Sequence, residues 1–227
     1  MSATTRTPEA EGLDVVLVGK FNPAIFHPEW FLRQGMIAEQ DAKEAKIKDV
    51  SDGITLIQLC GMFLQCFPDR FSLATMNISR ARRMQDLVLQ TFSLLSHTPI
   101  IACGINPSVH YAVGSVDYWH KIGHTLAPKD LVWGEMLEQP EMQSLTIKSP
   151  RRGEFPGEIN VTVEPSTKFS PGILVTTNYH YALPLETIHA GAADQAMKFV
   201  RTEWNDACSM ARKVAEHIFT KIEPDNA

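Results

Sequence analysis

The sequence predicts an α+β protein in which two related halves form a mainly antiparallel sheet, with a long C-terminal helix packed on that sheet. Each half is expected to contain a strand, a short helix, three strands and a long helix, in that order. Two observations lead to this fold class. Short β-rich segments alternate with turn residues along the chain, which is typical of antiparallel strands. Two longer segments, one stopped by Pro99 and the other by Pro224, carry apolar residues at spacings of three and four, which is typical of amphipathic helices.

Length and composition are those of an ordinary globular protein. The chain has 227 residues, of which 44% are hydrophobic and 21% are charged. It is therefore one large domain or two closely packed small ones, and disordered, collagen-like and coiled-coil chains are excluded. Lys and Arg number 21 against 26 Asp and Glu, which gives a formal net charge of −5. No overall positive field attracts nucleic acid or anionic lipid.

The boundaries of the two halves follow from composition and turns. Residues 1–12 are polar, lack the basic and then apolar order of a signal peptide, and are expected to be a flexible tail of a cytoplasmic protein. The first half is expected to span residues 13–98, and the second, packed closely against it, residues 99–222. Residues 223–227 form a short tail. No run of about 18 apolar residues predicts a membrane span.

The first half opens with a strand and a short helix. Residues 13–19 are rich in Val and Leu and predict the strand. After a break at Asn22-Pro23, Pro28 is expected to begin a helix that ends at Gly35. The aromatic residues of this stretch are expected to pack together and close the first half: Phe21, Phe26, Trp30 and Phe31.

A hairpin, a further strand and an amphipathic helix complete the first half. Asp52-Gly53 signals a hairpin whose return strand covers residues 54–63. A third strand at residues 71–75 leads to Asn77, which is a good N-cap for the helix.

The second half repeats this order. Residues 100–105 and 109–113 are predicted to be extended, with a turn at Asn106-Pro107 between them. The same Asn-Pro dipeptide occurs early in the first half, which favours a duplicated architecture.

Two short helices, three strands and the terminal helix follow. Ser115 or Asp117 is expected to cap the first short helix, and Pro128 to begin the second. The three strands are predicted at residues 144–148, 158–163 and 173–181. The terminal helix covers residues 192–221. Its expected apolar stripe consists of Val200, Trp204, Ala207, Ala211, Val214 and Ile218.

Known catalytic and cofactor motifs are absent from the sequence, and no catalytic residue, metal ligand or cofactor is assigned. The cysteines do not form a C-x-x-C pair and are interpreted mainly as small core residues: Cys60, Cys66, Cys103 and Cys208. Two alternatives stay open. Cys103 and His110 could act as nucleophile and base, and His120 and His124, four residues apart on a helix, could bind a metal.

Two arginine clusters are the candidate contacts for an anion or a partner. The residues proposed for this role are Arg82, Arg83, Arg151 and Arg152. The first two follow Arg80 in the opening turns of a helix, where cations oppose the helix dipole unless an anion offsets them. Ordinary ion pairs with Asp69 and Asp86 are the alternative explanation.

Two segments carry a resemblance to a known family. They are residues 21–30, FNPAIFHPEW, and residues 96–106, SHTPIIACGIN. With the order of elements around them, they resemble a sporadically distributed, functionally uncharacterised family of bacterial proteins. The resemblance implies an α+β fold with two related halves and brings no catalytic residues.

The absence of catalytic motifs, together with the heptad-like terminal helix and the aromatic clusters, predicts a non-enzymatic cytoplasmic interaction or assembly subunit. Such an adaptor would belong to a bacterial accessory or defence system and would bind a protein partner or associate with itself. Three alternatives remain. They are a hydrolase or transferase whose Cys and His meet only in the fold, a nucleic-acid binder that uses the arginines, and a chaperone-like protein that holds peptides on a sheet edge.

Overall fold

The structure is a computed structural model that describes residues 6–151, 153–155, 157–183 and 192–222. Its strands are β1 (Ala10–Gly19), β2 (Lys46–Val50), β3 (Thr55–Leu59), β4 (Met62–Phe67), β5 (Arg70–Thr75), β6 (Ile100–Ala112), β7 (Leu145–Arg151), β8 (Gly157–Pro165) and β9 (Gly172–Ala182). Its helices are α1 (Pro28–Arg33), α2 (Glu39–Glu44), α3 (Ala81–Leu94), α4 (Val116–Leu126), α5 (Asp130–Trp133) and α6 (Ala192–Lys221). The strands form one antiparallel sheet with α6 packed on it, which confirms the predicted α+β class.

The sheet has its two opening strands at the centre. The order is β2-β3-β4-β5-β1-β6-β9-β8-β7, and β1 pairs with β6 so that Val15 lies opposite Ile105. The last strand on each side returns to the opening one, because β5 pairs with β1 and β9 pairs with β6. The two sides of the sheet thus have the same connectivity, while their origin by duplication stays a prediction.

Pro28 begins α1 as predicted, whereas Asn77 caps a 3-10 turn in front of α3 and not α3 itself. The His27 ring accepts a hydrogen bond from the Glu29 amide at 3.2 Å, and Pro28 occupies the first position of α1. Asn77 accepts a hydrogen bond from the Ser79 amide at 3.1 Å and starts a 3-10 turn that leads into α3.

The core lies on the face of the sheet under α3 and α6. Most of the predicted stripe of α6 is buried there, although Val214 is only partly buried and its neighbour Ala215 is buried instead. The predicted aromatic cluster is also present, with the Phe26 ring centre 5.2 Å from that of Phe71. None of the helices in the described ranges combines the length and the apolar character that a membrane crossing needs.

The predicted return strand at residues 54–63 is wrong, because the chain turns back within it. Cys60 and Gly61 have φ angles of 52° and 69° and connect β3 to β4 in a tight hairpin. The first half therefore has one more strand after its short helices than predicted. Gly61 is the turn signal in this stretch, but the β-forming residues on both sides of it favour one continuous strand.

The predicted turn at Asn106-Pro107 is also wrong, because β6 is one continuous strand through both residues. Pro107 lies opposite Leu13 of β1. Pairing on both sides of this central strand outweighs the local turn preference. The predicted flexible tail at residues 1–12 is too long, because β1 already begins at Ala10. Directly before β1, the Glu9 amide donates a hydrogen bond to the His110 carbonyl at 3.0 Å.

Candidate functional site

The sheet has a second face that points away from the helices, which we call the open face. In β1, Leu13, Val15 and Leu17 are buried on the helix side, whereas Asp14 and Val16 on the other side are only partly buried. Among the described residues no helix packs on this open face.

Over the first half, the open face carries several large apolar side chains. We call these the apolar patch: Val16, Val18, Leu56, Phe63, Phe67 and Met76. Two polar residues, Gln65 and Ser72, lie among them in the register. Phe63 lies opposite Ala74 and is 42% exposed, and Met76, directly after β5, is 55% exposed. Exposed apolar residues that cluster on a soluble protein mark interaction surfaces more often than scattered single ones do.

One cation lies within the apolar patch. Arg70 is exposed and sits between Phe67 on β4 and Val18 on β1, each directly opposite it in the register. The patch is therefore apolar with a positive charge inside it.

Over the second half, the open face is polar, and we call its central row the asparagine ladder: Asn160, Asn178, Asn106 and Asp14. The Asn160 side-chain amide donates to the Asn178 side-chain oxygen at 3.4 Å. The Asn178 amide donates in turn to the Asn106 oxygen at 2.6 Å. Asn106 is hydrogen-bonded to the Asp14 carboxyl group, so the ladder runs in one direction across four strands and ends on an acid.

Asp14 at the end of this ladder has an unusual environment. Burial raises the pKa of its carboxyl group to about 6, while the charge of Arg70 and the hydrogen bond from Asn106 lower it again in part. Its Oδ1 is buried and has no hydrogen-bond partner. A carboxyl group in this position favours its protonated form near neutral pH more than an exposed one does.

The other polar side chains of the second half also satisfy one another. The Thr146 and Thr162 hydroxyls are 2.9 Å apart, and Lys148 Nζ is 2.5 Å from Glu158 Oε1. Polar groups that pair within one face lose little by staying in contact with water, so this half needs no covering partner.

Arg82, Arg83 and Arg151, which the sequence singled out, are not on the open face. Arg82 pairs with Asp86 at 3.3 Å, as the alternative explanation expected, and Arg83 donates to the Met36 carbonyl at 3.0 Å. Asp69 forms no ion pair with either in the described residues. Arg152 lies outside the described residues, and the role of all four arginines as anion or partner contacts stays a prediction.

Arg151 is buried on the helix side of the sheet. Its guanidinium lies 2.9 Å from Glu203 of α6, donates to the Phe155 carbonyl at 2.7 Å, and stands over the rings of Tyr179 and Phe199 at 4.4 and 4.9 Å. Through these contacts the buried guanidinium holds α6 against β9. No local sequence pattern indicates this cage, because its members come from separate elements.

The proposed pair of Cys103 and His110 does not form. Both lie on β6, seven residue steps apart, which separates them by about 23 Å and places them on opposite faces. Burial raises the pKa of the Cys103 thiol and lowers that of the His110 ring. The His110 ring is instead 2.9 Å from the Ser166 hydroxyl.

The other three cysteines have thiols with raised pKa values, and His124 lies beside an acid. Burial raises the pKa of the Cys66 and Cys208 thiols to about 12, and burial and the charge of Asp41 raise that of Cys60. His124 lies 3.4 Å from Asp130. In the part of the chain that the structure describes, no three His, Cys, Asp or Glu side chains are grouped as a metal site would require.

Comparison with family models and with curated proteins does not assign a function to these surfaces. The chain matches no family model, and no curated protein is significantly similar to it.

Proposed function

We propose that this chain is a non-enzymatic, cytoplasmic interaction subunit that binds a protein partner through the apolar patch of its open face. The single observation that supports the proposal most is the contrast in burial on the two faces of the same strands. Large apolar side chains such as Phe63 and Phe67 stay exposed on one face, while the other face is covered by two long helices.

Exposure of these apolar side chains to water raises the free energy of the uncovered protein. Apolar surface in water is unfavourable by about 25 cal/mol per Å², so a patch of several large side chains favours association. A partner that covers the patch gains this free energy without any further change in the fold.

The alternative functions have less support. An enzyme that uses cysteine needs a thiolate, and each thiol here has a raised pKa. A nucleic-acid surface needs several unpaired cations, whereas on the open face Lys148 is paired with Glu158 and the charge of Arg70 acts on the nearby Asp14.

A photo-crosslinking amino acid at position 63 tests the proposal directly. Placed in the full chain and expressed in the cells that naturally produce it, the probe should form one defined crosslink that mass spectrometry can map to a peptide. The same probe at position 94 is the matched control, because Leu94 is also half-exposed but lies at the end of α3. Crosslinking at neither position, or equally at both, would contradict the proposal.

A further inference from the structure

A second exposed apolar surface lies far from the first in the fold. We call residues 131–137 the apolar arm; its exposed apolar side chains are Leu131, Val132, Trp133, Met136 and Leu137. Leu131 is 94% exposed and Met136 77% exposed. Trp133 and Leu137 are about half-exposed and line a pocket with residues 140–144 of the same chain, whereas Leu131 and Met136 remain mostly exposed.

The arm is held away from the apolar patch of its own chain at both ends. Before the arm, Ile122 of α4 is buried in the core on the helix side of the sheet. After the arm, Met142 packs against the same buried cluster. The patch lies on the opposite, open face.

The two surfaces have complementary charge. Between Asp130 and Ile147 the sequence contains no Lys or Arg, and the exposed acids Glu135 and Glu138 lie among the apolar side chains of the arm. The apolar patch carries the exposed cation of Arg70. An arm seated on a patch would therefore bring opposite charges together at the rim of an apolar contact.

The areas indicate how many contacts a stable pair needs. If each large apolar side chain contributes roughly 60–120 Å² of buried surface, the arm and the patch each offer on the order of 300–700 Å². One arm on one patch then buries roughly 600–1,300 Å² in all, which is at or below the lower limit of stable interfaces. Two such contacts bury roughly twice that area, which lies within the range of stable interfaces.

We infer that the partner is a second copy of this chain, and that the two copies form a two-fold symmetric dimer in which the apolar arm of each covers the apolar patch of the other. This inference rests on the proposed function and names its partner. A two-fold dimer makes each contact twice, as the areas require.

Light scattering of the purified full chain, at about 50 µM, tests the inference first. The wild-type chain should have the mass of a dimer. An arm variant, Leu131→Ser with Met136→Ser, and a patch variant, Phe63→Thr with Phe67→Thr, should each weaken the dimer by about 100-fold or more. The matched control, Leu94→Ser with Val116→Ser, replaces exposed apolar residues outside both surfaces and should stay dimeric.

Mixing the two variants gives the result that distinguishes this geometry from others. A mixed pair keeps one intact arm on one intact patch, so it should associate more strongly than either variant does with itself. A patch-to-patch dimer would instead leave the arm variant fully dimeric, which would overturn the inference.

The crosslink from position 63 separates failure of this inference from failure of the proposed function. With one copy labelled by heavy nitrogen, an intermolecular crosslink to residues 131–137 supports the inference. A monomer whose probe crosslinks to a different protein overturns the inference but leaves the proposed function standing. A monomer without any crosslink overturns both.

Discussion

The two halves of the open face differ in chemistry although the strands beneath them are connected in the same way. On the β3–β5 side, large apolar side chains face the solvent, whereas on the β7–β9 side the amides, hydroxyls and charges bond to one another. The helix side shows no such contrast, since both halves bury apolar residues there.

The uncovered face of this sheet therefore behaves differently in its two halves. A face whose polar groups pair internally remains stable in water by itself. A face of exposed apolar residues adds little stability until something covers it. We therefore expect substitutions in the second half to change folding stability, and substitutions in the apolar patch to change association.

The largest effect is expected where the second half buries a charge. Glu203→Ala leaves the Arg151 guanidinium buried without its carboxylate, which should lower the free energy of unfolding by about 3–5 kcal/mol. Glu154→Ala, which removes the exposed ion pair with Lys198, should cost less than about 1 kcal/mol. Denaturant titrations of both variants measure this, and equal losses would show that the buried cage has no special role.

Asp14 should give the next largest effect, with the opposite sign. Its carboxyl pKa is raised from 3.8 to about 6 in the folded state, so the ionised form weakens folding above pH 6 and the penalty disappears as the pH falls to about 4. Asp14→Asn should therefore stabilise the protein by up to about 3 kcal/mol at pH 7.5, at 1.36 kcal/mol per pKa unit, and by almost nothing at pH 4. Denaturant titrations at several pH values measure the difference, with Asp52→Asn in an exposed turn as the control. A pH-independent difference would contradict the argument.

The asparagine ladder should have a smaller effect. Asn178→Ala removes the donor to the Asn106 side chain and the acceptor for Asn160, which should cost about 1–3 kcal/mol. Asn205→Ala, on an exposed position of α6, should change stability by less than about 0.5 kcal/mol. In a double-mutant cycle with Asn106→Ala the two losses should not add, and simple additivity would show that the ladder bonds are not coupled.

The smallest change in stability is expected in the apolar patch. Phe63→Thr keeps a residue that favours strands and removes a ring that is 42% exposed, so unfolding should change by less than about 1 kcal/mol. Association measured by light scattering should nevertheless fall. A large loss of stability without a loss of association would reverse the comparison of the two halves.

Much of the fold was predictable because the spacing of apolar residues along the chain indicates helices and strands directly. The terminal helix lies at Ala192–Lys221, as the spacing of its apolar residues predicts. Where local signals compete, prediction fails. Pro107 is a strong turn residue in isolation, yet it lies within a central strand, because pairing with β1 comes from a segment about 90 residues away.

The candidate surfaces were less predictable than the fold. Strand alternation separates Phe63 from Leu64, but it does not say which face the helices cover. The ladder is harder still to predict, because Asp14, Asn106 and Asn178 are ordinary polar positions until the register of separate strands aligns them. Arg151 was identified as a cation, but its partner Glu203 lies on another element.

The central pairing of β1 with β6 has a consequence for the order of events on the ribosome. The five strands β2-β3-β4-β5-β1 are complete once Thr75 has emerged, but β1 keeps a free edge until β6 follows, and β6 keeps one until β9 is made about 60 residues later. At about 5–20 residues per second, that last edge stays open for several seconds. A nascent chain paused between Ala112 and Gly172 would thus present an unpaired strand in the middle of its future sheet, where premature pairing between neighbouring nascent chains has its best opportunity.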